Sequence, residues 1–188
     1  MNKQKEHRRE DILSVALNLF VKRGYGSTKV ADIVSKANVS MGLLFHYFNT
    51  KEQLYHELIK IGCQSTELNL DFDQTPIKIF ELSVKGIFDM ISKDPSSAKM
   101  FVFMVNAMQN DSIPEESKEL LSKIDVVERS IPVIRKGQQL EEIKQGDPLA
   151  LSIAFWGSIQ GIAQQIALNP DFPCPSPSWI IDILKINR

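Results

Sequence analysis

The sequence predicts an all-α protein, made of a three-helix N-terminal domain followed by a helical bundle, with about nine helices in total. Apolar residues recur at spacings of three and four along nearly the whole chain, which is the pattern of helices that bury one face. The alternating pattern of strands with paired turn signals does not occur in the sequence. With 188 residues, of which 43% are apolar, the chain can bury a substantial core.

Residues that stop or cap helices divide the chain before Asp71 into four helices. Gly24 and Gly26 are expected to end the first helix, and Ser27 or Thr28 is expected to cap the second.

The third and fourth helices have their own start signals. Asn38 is expected to take the left-handed conformation of a tight turn, and Ser40 to cap the third helix after it. Thr50 and Gln53 form a Thr-x-x-Gln capping box that starts the fourth helix.

Five further helices are expected after Asp71. Pro132 lies inside the seventh helix, where it cannot donate a hydrogen bond to the carbonyl of Glu128, so it is expected to kink or end that helix. A Pro-rich loop separates the eighth helix from the ninth. The fifth helix is expected at 76–92, and the sixth is expected to begin within 93–96 and to end at about 109. The seventh is expected to begin within 113–116, the eighth within 146–148, and the ninth to cover 179–186.

The charge is distributed unevenly along the chain. The first 60 residues hold ten Lys or Arg against six Asp or Glu, about +4, so the remainder is acidic because the whole chain has a net charge of −1. A basic N-terminal part followed by an acidic remainder is typical of a protein that binds nucleic acid through its N-terminal part. The open alternative is that this charge difference is a chance variation in composition. Cys63 and Cys174 make no disulfide framework, which indicates a reducing, cytoplasmic compartment.

One segment needs a test against a membrane span. Residues 149–168 include no formal charge and are long enough to cross a bilayer. The segment nevertheless holds three glutamines and two serines, and no Lys/Arg cluster flanks it. We therefore predict a buried helix of a soluble protein without a membrane partner, with a membrane span as the alternative.

Residues 28–51, TKVADIVSKANVSMGLLFHYFNTK, combine a helix, a tight turn, a second helix and the capped start of a third. This is the layout of a helix-turn-helix motif, whose second helix enters the major groove of DNA. A small core formed by the first three helices of the chain would hold this recognition helix rigidly. The predicted core residues are Ile12, Leu13, Ala16, Leu19, Phe20, Val30, Ile33, Val34, Val39, Leu44 and Phe48.

Residues 8–60 resemble the DNA-binding domain of TetR-family transcriptional regulators. The run VSMGLLFHYFNTKEQL is the most specific part, and the later chain is similar only in helical layout. The resemblance implies a DNA-binding domain at 1–52, with its motif at about 28–48, and a helical ligand-binding and dimerisation domain at 53–188. The matching positions are Ile12, Leu13, Ala16, Leu19, Phe20, Gly24, Tyr25, Thr28, Ile33, Val39, Ser40, Gly42, Leu44, His46, Tyr47, Phe48, Lys51, Glu52 and Leu54.

The same resemblance assigns ten DNA-binding residues, namely Thr28, Lys29, Ser40, Met41, Gly42, Leu43, Phe45, His46, Tyr47 and Lys51. Thr28 would bind a phosphate through its hydroxyl or its backbone N–H, and His46, Tyr47 and Lys51 would bind other phosphates. Met41 and Leu43 stand where polar residues are frequent in the family, so we predict readout of thymine methyls and DNA shape at a half-site with A·T pairs. Alternatives remain open, because Phe45 could cover the core edge, and Lys3, Lys5, Arg8 and Arg9 could form either a mobile tail or a solvated helix start.

A small-molecule pocket and a two-fold dimer are also implied by the resemblance. The pocket residues would be large and apolar, which suits an adaptable apolar site, and they are Phe80, Phe88, Phe101, Met104, Met108 and Trp156. The dimer face would combine a row of small residues with an apolar stripe, formed by Ala154, Gly157, Ser158, Gly161, Gln165, Trp179, Ile180 and Ile183. A plain hydrophobic core, and packing within one chain, are the respective alternatives.

These observations predict a homodimeric transcriptional repressor that binds double-stranded DNA at a palindromic operator and leaves it when a small apolar ligand binds. The sequence has no metal-ligand spacing, catalytic constellation or Gly-rich phosphate loop, so neither an enzyme activity nor a cofactor is expected. One alternative is a DNA-binding factor of the same fold that needs no ligand. The other is a helical protein-binding module, or an enzyme, whose head resembles the motif.

Overall fold

The computed structural model describes residues 2–65 and 74–186, and the regular structure in this part of the chain is helical throughout. The predicted all-α class is confirmed. The described elements are α1 (Asn2–Ser27), α2 (Val30–Ala37), α3 (Met41–Tyr47), α4 (Lys51–Ser65), α5 (Pro76–Lys93), α6 (Ser96–Met108), α7 (Glu115–Leu121), a 3₁₀ turn (Ser122–Ile124), α8 (Val126–Gln139), α9 (Pro148–Leu168) and α10 (Pro177–Ile181).

The turn between α2 and α3 has the predicted local structure. Asn38 ends α2 in the left-handed conformation, with φ 51° and ψ 49°. Ser40 caps α3, because its side chain accepts a hydrogen bond of 3.1 Å from the backbone N–H of Leu43. The helical path of α1 is interrupted at Gly24, whose φ of 77° and ψ of 166° suit a residue without a Cβ. These three predictions from local sequence are confirmed.

The starts of α2 and α4 show one error and one success of the sequence prediction. The N-cap of α2 is Lys29 and makes no side-chain capping bond, so the prediction of Ser27 or Thr28 as the cap is wrong. The capping box at α4 forms, since Thr50 Oγ1 accepts from Gln53 N at 3.1 Å. The Gln53 side chain reaches back to accept from Asn49 N at 2.7 Å.

The predicted seventh helix is two helices, α7 and α8, joined by the 3₁₀ turn. Asp125 starts α8, because its carboxylate accepts from Val127 N at 3.0 Å and from Glu128 N at 3.2 Å. Pro132 lies inside α8 without ending it. The additional break therefore comes from a capping aspartate, which the sequence prediction overlooked, rather than from the proline. Helix α10 also lies earlier than predicted, beginning at Pro177.

The chain divides into two compact units, and the first comprises residues 1–66 and 102–123. Its core includes the predicted positions Ile12, Leu13, Ala16, Leu19, Phe20, Ile33, Leu44 and Phe48, all of which are buried. An aromatic cluster extends this core. Tyr55 makes edge contacts with Phe20, Tyr25 and Phe103, at centroid distances of 5.0, 4.7 and 4.9 Å respectively. The predicted functional boundary between residues 52 and 53 stays a prediction.

The second unit comprises residues 67–101 and 124–188, and its core is formed by α5, α8, α9 and α10. Phe155 of α9 is fully buried at its centre, with ring centroids 5.1 Å from both Phe80 and Trp156. Ser152 ties α9 to α8 by donating to the carbonyl of Val127 at 2.8 Å. Among the described residues, we find no helix with the length and apolar character that a membrane crossing requires.

Candidate functional site

Helix α3 presents one face to solvent because its other face is fixed in the core of the first unit. Leu44 and Phe48 are buried, and they hold the helix after its Ser40 cap. Met41 and Phe45 lie outside this core, with 42% and 41% of their surfaces exposed. The structure therefore provides a short helix that is anchored on one face and carries large apolar side chains on its solvent face. An anchored helix with one face free is what entry into the major groove requires.

The structure brings most of the predicted DNA-binding residues to the surface around α3. The exposed members of the set are Lys29, Ser40, Met41, Gly42, Phe45 and His46. The half-buried members are Leu43, Tyr47 and Lys51, and Thr28 is buried. The ring of His46 lies 5.5 Å from that of Tyr47, in an edge-to-face arrangement. The assignment of these residues to DNA stays a prediction, and two of them, Thr28 and Lys51, also have hydrogen-bond partners within the protein.

Thr28 has its polar groups directed into the protein. Its surface is 1% exposed, and its hydroxyl donates to the carbonyl of Gly24 at 2.8 Å. Its backbone N–H donates to the carbonyl of Tyr25 at 3.3 Å. Both groups predicted to bind a phosphate are therefore engaged within the turn that ends α1. Thr28 therefore closes this turn within the protein, and its assignment to a phosphate stays a prediction.

Lys51 connects the start of α4 to the same turn. Its Nζ donates to the carbonyls of Tyr25 at 3.1 Å and Thr28 at 3.2 Å. The same ammonium lies 4.1 Å from the centroid of the Tyr25 ring, within the range of a cation–π interaction. Lys51 thus donates hydrogen bonds from a positive charge to carbonyls at the end of α1. The sequence prediction did not include this structural role.

Tyr25 and Glu52 make a second connection between the end of α1 and α4. The Tyr25 hydroxyl donates to Glu52 at 2.8 Å. Burial, and then this hydrogen bond, raise the pKa of Tyr25, so the phenol stays protonated and remains a donor. A bond from the backbone N–H of Glu52, followed by the Tyr25 bond, lowers the pKa of its carboxyl. The two connections together hold the turn at residues 24–28 against α4.

Arg9 also stabilises the first unit. Its guanidinium forms an ion pair with Glu57 of α4 and lies 5.4 Å from the centroid of the Phe48 ring. Arg8 and Arg9 both lie within α1, so the alternative of a mobile tail is wrong for them. The sequence contains no local signal for this role, because the partners lie 39 and 48 positions away and meet Arg9 only after folding.

Lys29 and Lys51 are expected to respond differently to substitution. Lys29 is exposed and makes no ion pair within the described residues, so Lys29→Ala should reduce the slope of log affinity for DNA against log salt by about 1 and leave stability unchanged. Lys51→Met should instead destabilise the protein by about 1–2 kcal/mol, since two carbonyls lose a charged donor. Anisotropy in a salt series and thermal melts measure both effects. An equal loss of salt slope in the two variants would contradict this distinction.

Comparison with known proteins matches this geometry to one family. Residues 12–58 match the family model described as "Bacterial regulatory proteins, tetR family". The chain is 25% identical to the HTH-type transcriptional regulator YfiR of Bacillus subtilis (strain 168). The aligned region covers 97% of this chain and 90% of YfiR. Residues 12–58 thus form a domain of the TetR family of bacterial regulatory proteins.

Two further relatives show how this TetR-family similarity divides between sequence and fold. The HTH-type transcriptional repressor KstR2 of Mycolicibacterium smegmatis is 37% identical over 57 residues, which are 30% of this chain and 28% of that protein. A crystal structure of AibR in complex with isovaleryl coenzyme A and operator DNA superposes with a TM-score of 0.65. It is 18% identical and covers 93% of this chain and 94% of that chain. Sequence similarity is thus strongest in the N-terminal region around residues 12–58. The similarity in fold to the AibR structure extends over 93% of the chain.

The second unit contains a small cavity beside Trp156. The space open to water in this cavity is about 10 Å³, which holds about one water molecule. The Trp156 indole donates to Ser130 Oγ at 2.8 Å, and Ser130 in turn donates to the carbonyl of Val126. Of the predicted pocket residues, only Phe80 and Trp156 line this cavity. The remaining lining residues are Ile79, Ser83, Val126, Arg129, Ser130 and Val133.

The other predicted pocket residues lie elsewhere. Phe88 is buried in the core of the second unit and Phe101 packs against that core, but neither lines the cavity. Met104 is buried in the first unit, where its side chain covers Gly62, and Met108 is exposed. These four residues therefore do not line the cavity beside Trp156, and their assignment to a ligand pocket stays a prediction.

Most of the predicted dimer residues are accessible. Ala154, Gly157, Gly161 and Gln165 lie on an exposed face of α9, and Trp179 is exposed on α10. Ser158 and Ile183 are half-buried. Ile180 is buried in the core of its own unit, so its surface is used within the chain and the prediction of a dimer contact is corrected for this residue. The remaining members of the set stay a prediction.

Proposed function

We propose that this TetR-family regulator is a homodimeric, cytoplasmic repressor that binds a palindromic operator and is released from it by a small apolar ligand. The observation that carries the DNA-binding part is the anchored α3, whose buried Leu44 and Phe48 leave Met41, Phe45 and His46 exposed. Lys29 at the start of α2 adds an exposed positive charge for a phosphate. Residues 1–52 would act as the DNA-binding domain and residues 53–188 as the ligand-binding and dimerisation domain.

The exposed face of α9 supports a dimer. Exposed residues recur at intervals of three and four, and none of them is charged: Leu149, Ala150, Ile153, Ala154, Gly157, Gly161, Gln164, Gln165 and Leu168. Small residues at the centre of this face would allow two copies of α9 to approach closely. A two-fold axis at this face would make the contact self-complementary. Two-fold dimers of helix-turn-helix proteins bind two half-sites about 34 Å apart, one turn of DNA, so a dimer of this protein would require a palindromic site.

The ligand part rests on the cavity at Trp156. Because the cavity has room for about one water, an apolar ligand could bind only a conformation in which Phe80, Val133 or Trp156 has moved. A ligand that prefers this opened conformation would shift the population towards it. Release from DNA would follow if the opened conformation binds the operator more weakly.

The small cavity equally favours a second candidate, a DNA-binding factor of the same fold that needs no ligand. A filled core is what that function requires. The two candidates make the same prediction for DNA and differ only in the response to ligands. One experiment with two stages therefore distinguishes them.

In the first stage, the purified protein is titrated onto DNA from upstream of its own gene, and fluorescence anisotropy is followed in a salt series. We expect two protomers per palindromic site, with affinity at least about 10³-fold above that for scrambled DNA. Binding that is equally weak for both DNAs, with operators also absent from a genome-wide selection, would reject the proposed function.

In the second stage, benzene, naphthalene and octanoate are added to the protein–operator complex. A ligand that enters the cavity should change the fluorescence of Trp156, with W179F removing the other tryptophan, and should lower DNA affinity at the same concentrations. A wider screen in which no compound alters either signal would favour the ligand-independent factor.

A further inference from the structure

We infer that α3 reads its operator mainly through the C5-methyl groups of thymine, with Met41 and Phe45 as the side chains that determine specificity. This inference rests on the proposed binding of operator DNA by α3. It assigns a chemical basis for sequence preference, which neither the family match nor the relatives specify.

Met41 and Phe45 share the solvent face of α3. They are four residues apart, so they lie one above the other on one side of the helix. The buried Leu44 lies about 100° away around the helix axis from Phe45, and it fixes which side faces the core. Phe45 therefore does not serve to cover the core edge as its main role, since 41% of its surface is exposed. Two large apolar side chains adjacent on an exposed face indicate a binding surface.

The polar groups that usually read bases are missing from the first turns of α3. Arg and Lys recognise guanine, and Asn and Gln recognise adenine, through paired hydrogen bonds in the major groove. The run from Met41 to Phe45 is MGLLF and contains none of these side chains. Ser40, just before it, already accepts a hydrogen bond from the backbone of Leu43. The nearest polar side chains on the helix are His46 and Tyr47 in its last turn.

An apolar face can still distinguish base pairs in the major groove. Thymine alone among the four bases carries a methyl group there, and apolar side chains bind it. Gly42, which lies between the two side chains in sequence, has no neighbouring atom within 4 Å of the position a Cβ would take, so the helix backbone is open to the groove at this point. The match of an apolar face to thymine methyls is the simplest one that these residues allow.

Deoxyuridine provides a direct test, because it pairs as thymine does and lacks only the C5-methyl group. An operator is first selected from random duplex DNA with the full-length protein, and each thymine of a half-site is then replaced by deoxyuridine. Anisotropy should show about fourfold weaker binding for each contacted methyl, the factor for burial of one methylene-sized group. Deoxyuridine outside the half-sites should have no effect.

Variants of the two side chains complete the test. Met41→Ala and Phe45→Ala should each weaken binding to the thymine operator, and each should remove the sensitivity to deoxyuridine at its own position. Both residues are exposed, so thermal melts should be unchanged. Leu82→Ala removes a 48% exposed apolar side chain from α5 and should keep the full sensitivity of the unmodified protein.

The outcomes separate this inference from the proposed function. Tight, specific binding with no loss on deoxyuridine substitution would overturn methyl readout and leave DNA binding intact. Selection of half-sites without thymine would do the same, and so would variants that keep the full deoxyuridine sensitivity. If the selection yields no specific DNA, both the inference and the proposed function are wrong.

Discussion

Replacement of Phe48 by Ala is expected to destabilise the first unit by about 3–5 kcal/mol and to abolish specific DNA binding. Phe48 is 1% exposed and ends α3, and its ring lies under the guanidinium of Arg9, 5.4 Å from the centroid. Removal of the ring leaves a cavity that the ion pair between Arg9 and Glu57 cannot fill. Because α3 is only seven residues long, it depends on this packing to keep its helical structure.

Hydrogen exchange followed by mass spectrometry measures this effect unit by unit. Peptides from α1 to α4 should exchange about 10²- to 5 × 10³-fold faster in Phe48→Ala, as the expected loss of free energy requires. Peptides from α9, in the second unit, should change little. The matched control is Phe45→Ala, which removes the same type of side chain three positions away but from an exposed site, so exchange should be unaffected. Equal exchange rates in the two variants would contradict the anchoring role of Phe48.

Replacement of Gly137 by Ala is expected to destabilise the second unit by about 1–3 kcal/mol. A Cβ at this position in α8 would lie 2.6 Å from Ile143 Cδ1, 2.7 Å from Ile143 Cγ1 and 3.1 Å from Pro76 Cβ. Ile143 is fully buried and cannot turn outward, and its backbone N–H donates to the carbonyl of Gly137 at 3.1 Å. The turn after α8 thus requires a residue without a side chain at position 137.

Urea denaturation followed by tryptophan fluorescence measures this loss, because both tryptophans lie in the second unit. Gly86→Ala in α5 is the matched control: its Cβ would meet nothing within 4 Å, so the substitution should be neutral or stabilise by up to about 1 kcal/mol. Ile143→Ala removes the clashing atoms, and the double variant should lose less than the two single losses combined. A Gly137→Ala protein as stable as Gly86→Ala would show that the turn relaxes without cost.

Local sequence predicted the helix-turn-helix motif well because its signals act over a few residues. Asn38, Ser40 and the Thr50–Gln53 box define their turns through backbone conformation and short-range hydrogen bonds, and the structure has all three. The same kind of signal was available at Asp125, where a capping aspartate divides the predicted seventh helix, but the sequence prediction placed the disturbance at Pro132. Long apolar patterns predict that a helix exists better than they predict where it breaks.

Side-chain roles that depend on distant partners were not predictable in this way. Thr28 and Lys51 had the residue types of phosphate ligands, yet folding brings Lys51 against carbonyls 23 and 26 positions earlier and turns the Thr28 hydroxyl towards Gly24. The sequence indicated no partner for Arg9, whereas in the structure it forms an ion pair with Glu57 of α4. In each case a polar group binds the partner that the fold provides, because a part-buried donor or acceptor without one is costly.

The sequence by itself determined that the chain is helical, where the turn before α3 lies, and which short helix carries Met41, Leu43 and Phe45, since periodicity and capping are encoded in neighbouring residues. Only the tertiary structure decided that Met41 and Phe45 are the exposed members of this set. The tertiary structure alone also decided which large apolar residues meet at one cavity, and that this cavity has room for about one water. Phe80 and Trp156 line it, whereas Met104 packs on Gly62 in the other unit. Burial of apolar surface is non-directional, so hydrophobicity marks residues for the interior without specifying their neighbours.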